Sequence, residues 1–171
     1  MKGTFGMGSS GKYKSAKRGL YKLLNPEKFV CPSDNYMGST QLNENGDLCV
    51  LFKSSLELRA FKYADFNKYI KRWSLEPFSI SYIKPSDNKR HRYYPDLFLE
   101  FTNGEKFLVE IKSSSEREHP VLPKYKSYAS VQRYAADCLT YVTNQAKWKA
   151  AEEFCKFRKY HFTVLTEKEL P

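Results

Sequence analysis

The chain has no run of about 18 apolar residues able to cross a bilayer, which excludes a membrane-spanning helix. Its first residues also lack the apolar core of a secretory signal, so the protein is expected to work in the cytoplasm of its cell. Cysteine and histidine are sparse and unpaired. Cys31, Cys49, Cys138 and Cys155 form no CxxC pair, and His91, His119 and His161 stand at no zinc-finger spacing, which excludes a cysteine-ligated metal. All four thiols are expected to stay reduced, with Cys138 and Cys155, at helical periodicity, acting as small core residues. The glycines before Lys12 do not make a phosphate-binding P-loop, because Tyr13 follows Lys12 where Ser or Thr is required.

Acid is the other shortage. Nineteen Asp and Glu face 29 Lys and Arg, giving a formal net charge of +10 and a pI near 9.4. Such an excess favours a polyanionic partner, bound through released counterions with an affinity that falls as salt rises. A basic surface kept only for solubility is the plainer alternative. The imbalance is greatest at the start: residues 1–30 carry one acid, Glu27, against seven Lys and Arg, with glycines and serines between them. Residues 1–24 therefore read as a flexible arm that orders on a partner, with Lys12, Lys14, Lys17 and Arg18 as candidate DNA contacts. Residues 25–171 read as one folded domain. A hydrophobic content of 41% and an aromatic content of 16% suffice for a packed core, while a mean hydropathy of -0.65 keeps the surface polar.

The most informative stretch is Arg92 through Lys112. Residues 93–101 and 106–111 are rich in aromatic and β-branched side chains, and Thr102-Asn103-Gly104-Glu105 between them has the chemistry of a tight hairpin turn. Alternation places Leu108, Glu110 and Lys112 on one face and Phe107, Val109 and Ile111 on the other. Asp96 opens an apolar run after Pro95, where the neighbouring strand can bring it beside Glu110. Carboxylates among apolar neighbours need neutralising, and a divalent cation does this, so Asp96 and Glu110 are candidate Mg²⁺ ligands. The pattern is Pro-Asp followed by Glu-x-Lys. A surface ion pair between Lys112 and either acid accounts for the same residues.

Around this hairpin the other elements take their places. Leu48-Cys49-Val50-Leu51-Phe52 reads as a short edge strand after a polar loop over 31–47. Ser54-Ser55-Leu56-Glu57 has the capping-box spacing of a helix start, which gives Glu57 a structural use, on the Ser54 amide, besides any chemical one. Residues 78–83 alternate as a strand and, with 93–101 and 106–111, predict a three-strand antiparallel meander. A polar loop follows Lys112. Val131, Tyr134, Ala135, Cys138, Leu139 and Val142 then recur at helical spacing as a buried stripe, and Asn144 is suited to cap a second helix carrying Trp148, Ala151, Phe154 and Cys155. A last strand over 161–165 completes an α/β layout with a mixed sheet.

Taken in order, the serine-glutamate helix start, the tryptophan before Glu-Pro, the Pro-Asp strand, the Glu-x-Lys strand, Lys-Trp-Lys-Ala-Ala and the closing Leu-Thr-Glu resemble the head completion nucleases of T-even-type tailed phages. These are related to TnsA-type transposon endonucleases within the PD-(D/E)xK superfamily. The resemblance covers residues 25–170 and implies a restriction-endonuclease-like core whose mixed central sheet is flanked by helices. It implies a DNA endonuclease of low sequence specificity, using Mg²⁺, with Mn²⁺ as a substitute, in head completion and DNA packaging. The metal would sit on Asp96, Glu110, the Ile111 carbonyl and Glu57, and Lys112 would position the attacking water. Lys89, Arg90, Arg92 and Lys106, near the hairpin, are candidate phosphate contacts. Double-stranded DNA and phage head, portal or neck proteins are the implied partners, in the host cytoplasm during assembly and on the virion. Two features depart from the family: a longer connection over 31–47, and Ser113-Ser114-Ser115 where Pro-Lys-Lys is usual, which weakens expected DNA contact there. A structural head completion protein with little turnover, and a TnsA-like subunit of a transposase or restriction enzyme, are the competing readings.

Overall fold

The computed structural model describes residues 18–31 and 40–170. Lys12, Lys14 and Lys17 lie outside them. Three strands form a first small sheet: β1 (Gly19–Lys22) and β2 (Thr40–Leu42) each pair antiparallel with β3 (Leu48–Phe52), which is therefore central rather than an edge. Gly19–Lys22, inside the segment assigned to the arm, thus belong to a sheet. The reason is a single carboxylate. Asp65, fully buried, accepts bonds from the Tyr21 hydroxyl at 2.8 Å, the Leu24 amide at 2.9 Å and the Asn25 amide at 3.1 Å, tying residues 21–25 to the helix that follows β3. Lys28 completes the attachment, since its ammonium donates to the carbonyls of Ala64, Asp65 and Asn67 at that helix's C-terminal end.

That helix, α1 (Ser55–Phe66), starts where its capping sequence predicts, with Ser54 Oγ accepting from the Glu57 amide at 3.1 Å. After it come β4 (Ile70–Leu75), β5 (Ile80–Lys84), β6 (Lys89–Tyr93), β7 (Leu97–Phe101) and β8 (Lys106–Ile111). The main sheet has the order β4-β7-β8, all antiparallel, and is extended by β9 (His161–Leu165), which runs parallel to β8. The sheet is mixed and contains an antiparallel three-strand meander. Its first strand is Ile70–Leu75, however, not 78–83. Those residues instead pair with β6 in a separate two-stranded hairpin. The run 93–101 is two strands because Pro95, buried and without an amide proton, cannot continue a ladder, so the chain leaves one sheet at Tyr93 and enters the other at Leu97.

Both faces of the main sheet are covered. On one, Leu97, Leu99, Val109 and Ile111 pack with Trp73, Phe29, Phe61 and Val50 beneath α1; on the other, Leu108 packs with Tyr82, Tyr93, Ala151 and Cys155. The last two belong to α3 (Tyr128–Arg158), which follows the short α2 (Ser114–Arg117). Glu110, on the same face of β8 as Leu108, is consequently only 3% exposed.

The two helices predicted after residue 130 are one. No glycine or proline interrupts residues 128–158, and Asn144 is a buried mid-helix residue rather than a cap. The second half packs on the sheet, whereas the first half meets the α2 side of the chain, where the Tyr141 ring lies 5.1 Å from that of His119. Val131, Leu139 and Val142 of the predicted buried stripe remain 40%, 48% and 42% exposed.

Replacing Asp65 with Ala would leave a buried tyrosine hydroxyl and two amides without an acceptor. It is expected to cost about 3 kcal/mol or more in urea unfolding, with early proteolytic release of residues 18–30.

Candidate active site

Strand register assembles the site. Leu75 of β4 faces Leu97 of β7, so Glu76 and Asp96 follow at adjoining strand ends, and the Glu76 amide donates to the Asp96 carbonyl at 3.0 Å. Leu97 in turn faces Val109 of β8, which sets Asp96 beside Glu110, and the Ile111 amide donates to Asp96 Oδ2 at 2.7 Å. Three acids from three neighbouring strands thus meet at one end of the sheet. Glu76 reaches its place with φ at 40°, a left-handed conformation that costs a non-glycine residue of order 1 kcal/mol and is characteristic of functional positions.

The N-terminus of α1 supplies a fourth. Glu57 Oε2 accepts the Lys53 amide at 2.6 Å, one residue before the Ser54 amide that the capping pattern predicts. Its helical use is therefore real but engages one oxygen. Glu57, Glu76, Asp96 and Lys53 line a cavity of about 60 Å³ over an apolar floor that includes Phe61 and Leu75. Lys53 Nζ lies 2.9 Å from Glu76 Oε1.

Glu110 is clamped from two sides. The Tyr93 hydroxyl donates to Oε2 at 2.6 Å and Lys112 Nζ approaches Oε1 at 3.2 Å. Burial, then the charge of Glu110 and to a lesser extent Glu57, push the Asp96 carboxyl up to about 8 against the opposing pull of the Ile111 amide and Lys112. Burial and Glu110 raise Glu76 as well. Burial alone lowers Lys112, but Glu110 and Asp96 outweigh it and hold the ammonium above its ordinary range, so it stays charged.

Among the described residues no three acidic, histidine or cysteine groups already form a tight ligand cluster. The donor chemistry nevertheless fits a hard divalent cation. Asp96 Oδ1 and Glu57 Oε1 accept no hydrogen bond among the described residues, both residues line the same cavity, and the acids there are short of positive charge.

The structure thus brings Glu57, Asp96, Glu110, Ile111 and Lys112 together. It treats the candidate phosphate contacts unequally. Arg92 adjoins Tyr93 on β6, and Lys89 and Arg90 lie farther out on the same exposed strand. Lys106 is at the opposite end of β8 from Glu110, roughly 13 Å along the strand, with its ammonium 5.7 Å from the Tyr160 ring, so it does not belong to the site. Arg18 is exposed just before β1. Ser113, Ser114 and Ser115 start α2: Ser113 Oγ bonds Glu116 at 2.9 Å and the Ser114 amide bonds Glu167 at 3.0 Å, both structural uses. Sequence reasoning missed Lys53, Glu76 and Tyr93. Glu76 left a trace, since Leu-Glu-Pro places an acid at the end of an apolar strand much as Pro-Asp-Leu does at the start of another. Tyr93 left none, because its contact with Glu110 arises from the departure of the hairpin.

A mixed sheet with antiparallel β4-β7-β8 and parallel β9, a helix packed on each face and acids gathered at the strand ends define a restriction-endonuclease-like core. The chain belongs to the TnsA-like endonuclease N-terminal family, which matches residues 67–167. It is also 31% identical to the head completion nuclease of Enterobacteria phage T4 over 121 residues, 71% of this chain and 81% of that protein. The family match begins after α1, so Glu57 lies outside it.

The raised Asp96 carboxyl has a defined sign. It keeps its proton in the fold up to about pH 8 but loses it near pH 4 when unfolded, so the native state binds more protons between these values. The metal-free protein should lose stability as pH rises from about 4 to 8, and Asp96→Asn should flatten that decline. Equal slopes for wild type and variant in urea unfolding at pH 5 and pH 8 would contradict the assignment.

Proposed function

We propose that this chain is a divalent-metal-dependent endodeoxyribonuclease of low sequence specificity that acts on double-stranded DNA during phage head completion and packaging. What carries the reading is the pair of carboxylate oxygens without a hydrogen-bond donor among the described residues, Asp96 Oδ1 and Glu57 Oε1, in residues of one cavity beside Glu110 and a charged Lys112. The name of the phage T4 relative supports the biological setting.

Asp96 and Glu110, with Glu57 and the Ile111 carbonyl, would hold the metal, Mg²⁺ or Mn²⁺. Bound there, it supplies charge neutralisation at the phosphate and a more acidic water. The protein's own groups do the positioning. Tyr93 and Lys112 fix the Glu110 carboxylate from both sides, and the Ile111 amide fixes Asp96, so neither acid must reorganise when substrate arrives. Lys112, held protonated, orients the attacking water and stabilises charge developing on the phosphate; it is a poor general base while it keeps its proton. The cavity, at about 60 Å³, holds an ion and a few waters but no nucleotide, so the scissile phosphate is presented at its mouth. Phage head, portal or neck proteins are the proposed protein partners, met in the host cytoplasm during assembly and on the virion. Among the described residues no helix is long and apolar enough to cross a membrane.

Supercoiled plasmid incubated with the protein and Mg²⁺ or Mn²⁺ should be nicked or linearised. Asp96→Asn and Lys112→Ala should each reduce the rate at least about a hundredfold without loss of fold by circular dichroism; cleavage persisting in both would remove the assignment. Glu57→Gln keeps an oxygen for the Lys53 amide and should change stability by less than about 1 kcal/mol while abolishing metal-dependent cutting. If it lowers the melting temperature instead and leaves specific activity intact, helix capping was its main role.

A further inference from the structure

We propose that the DNA lies along the face made by the β5–β6 hairpin and the second half of α3, with Arg90, Arg92, Lys147 and Lys149 holding its backbone phosphates. This rests on the reading of the strand-end acids as a phosphodiesterase site, and it says which side of the molecule the duplex occupies.

Tyr93 fixes the direction. Its hydroxyl bonds Glu110 at 2.6 Å, while its ring lies 5.6 Å from the Lys147 ammonium, which also sits 5.9 Å from the Tyr82 ring. The site and the first cation of the proposed face therefore touch the same side chain. Two tyrosine rings hold an ammonium in place without neutralising it, so Lys147 keeps its charge for a ligand. Next to it, Arg90 and Lys149 line an open groove of about 430 Å³ between hairpin and helix, with Tyr82 and Ala150 in its wall. Arg92 stands one residue from Tyr93, on the same strand as Arg90.

The cations of this face are left without acids. Among the described residues Lys84, Lys89, Arg90, Arg92, Lys147 and Lys149 enter no ion pair with an acid. The acids nearby are few: Asp87 is taken by His91 at 2.8 Å, and Glu153 lies at the groove's edge. Elsewhere among the described residues, Lys71 and Arg72 on the outer strand β4 are paired with Glu100, and Lys28 is spent on helix carbonyls. Lysines and arginines without an acidic partner, arrayed beside the candidate site, are suited to backbone phosphates, which position a duplex without reading its sequence.

Binding of a fluorescent duplex, followed by anisotropy in EDTA across a salt series, tests this independently of cleavage. Compared with wild type, R90Q/K147M/K149Q should show a slope of log affinity against log salt that is shallower by about 0.9 for each phosphate no longer neutralised, and binding weaker by about tenfold or more near 0.1 M salt. Lys147→Met retains the apolar stem over the tyrosines, and alone it should flatten the slope by about 0.9, which separates the effect of charge from that of packing. K62Q/K68Q, on the α1 side, should keep the wild-type slope. A triple variant with the wild-type slope, or an equal weakening in both sets, would overturn the proposal. A wild type that binds with the expected slope but cuts nothing in Mg²⁺ or Mn²⁺ would remove the hydrolytic reading and leave the binding face standing.

Discussion

Negative charge gathered at the buried ends of three adjoining strands is the constraint on which the rest of this structure depends. Asp96 and Glu110 repel each other where burial already disfavours ionised carboxylates, and Glu57 and Glu76 add to the field. The fold meets this with a backbone amide, a tyrosine hydroxyl and one lysine, each on a named oxygen. That compensation is incomplete. Asp96 keeps its proton up to about pH 8, and two carboxylate oxygens have no donor among the described residues.

Incomplete neutralisation also accounts for the surrounding architecture. The hairpin of β5 and β6 interrupts what would otherwise be a direct passage from β4 to β7, and its last residue, Tyr93, returns to brace Glu110. Pro95 then turns the chain so that Asp96 begins β7 at the height of Glu76. Lys112 is held just past the end of β8 by the hydrogen bond its amide donates to the Leu165 carbonyl, so the parallel strand β9 orients a cation that stabilises both central acids. Each addition to the simple meander therefore serves the same cluster. The two sheet faces divide the remaining work: α1 carries Glu57 and closes the cavity, whereas α3 covers the other side and brings its lysines toward the hairpin.

The parts of this arrangement that were legible in the sequence are those fixed by local chemistry. The Asn-Gly turn with Gly104 at a φ of 90°, the serine cap of α1 and the alternation of β8 all follow from neighbours within four residues. Errors arose where a pattern had more than one way to be satisfied. Residues 78–83 alternate correctly for a strand, but alternation does not name the partner, and the partner was β6. The stripe from Val131 to Val142 has helical spacing whether or not anything covers it. Asn144 looked like a cap because asparagine commonly caps, yet with no breaker nearby the helix continued through it. Residues 19–24 were grouped with the basic, glycine-rich segment before them, because the acid that holds them, Asp65, is about forty residues away.

By itself, then, the sequence singled out Glu57, Asp96, Glu110 and Lys112 as candidates, the strands and helix start that carry them, and a charge suited to a polyanion. These are short-range properties, set by side-chain chemistry and by the two-residue and 3.6-residue periods of the backbone. Only the tertiary structure decided that β4 rather than 78–83 opens the meander, that Glu76 stands level with Asp96, that Tyr93 braces Glu110 and that Lys147 stands over Tyr93. Those outcomes depend on strand register and on which apolar faces are buried together, and such pairings are settled by the packing of the whole core rather than by any local segment.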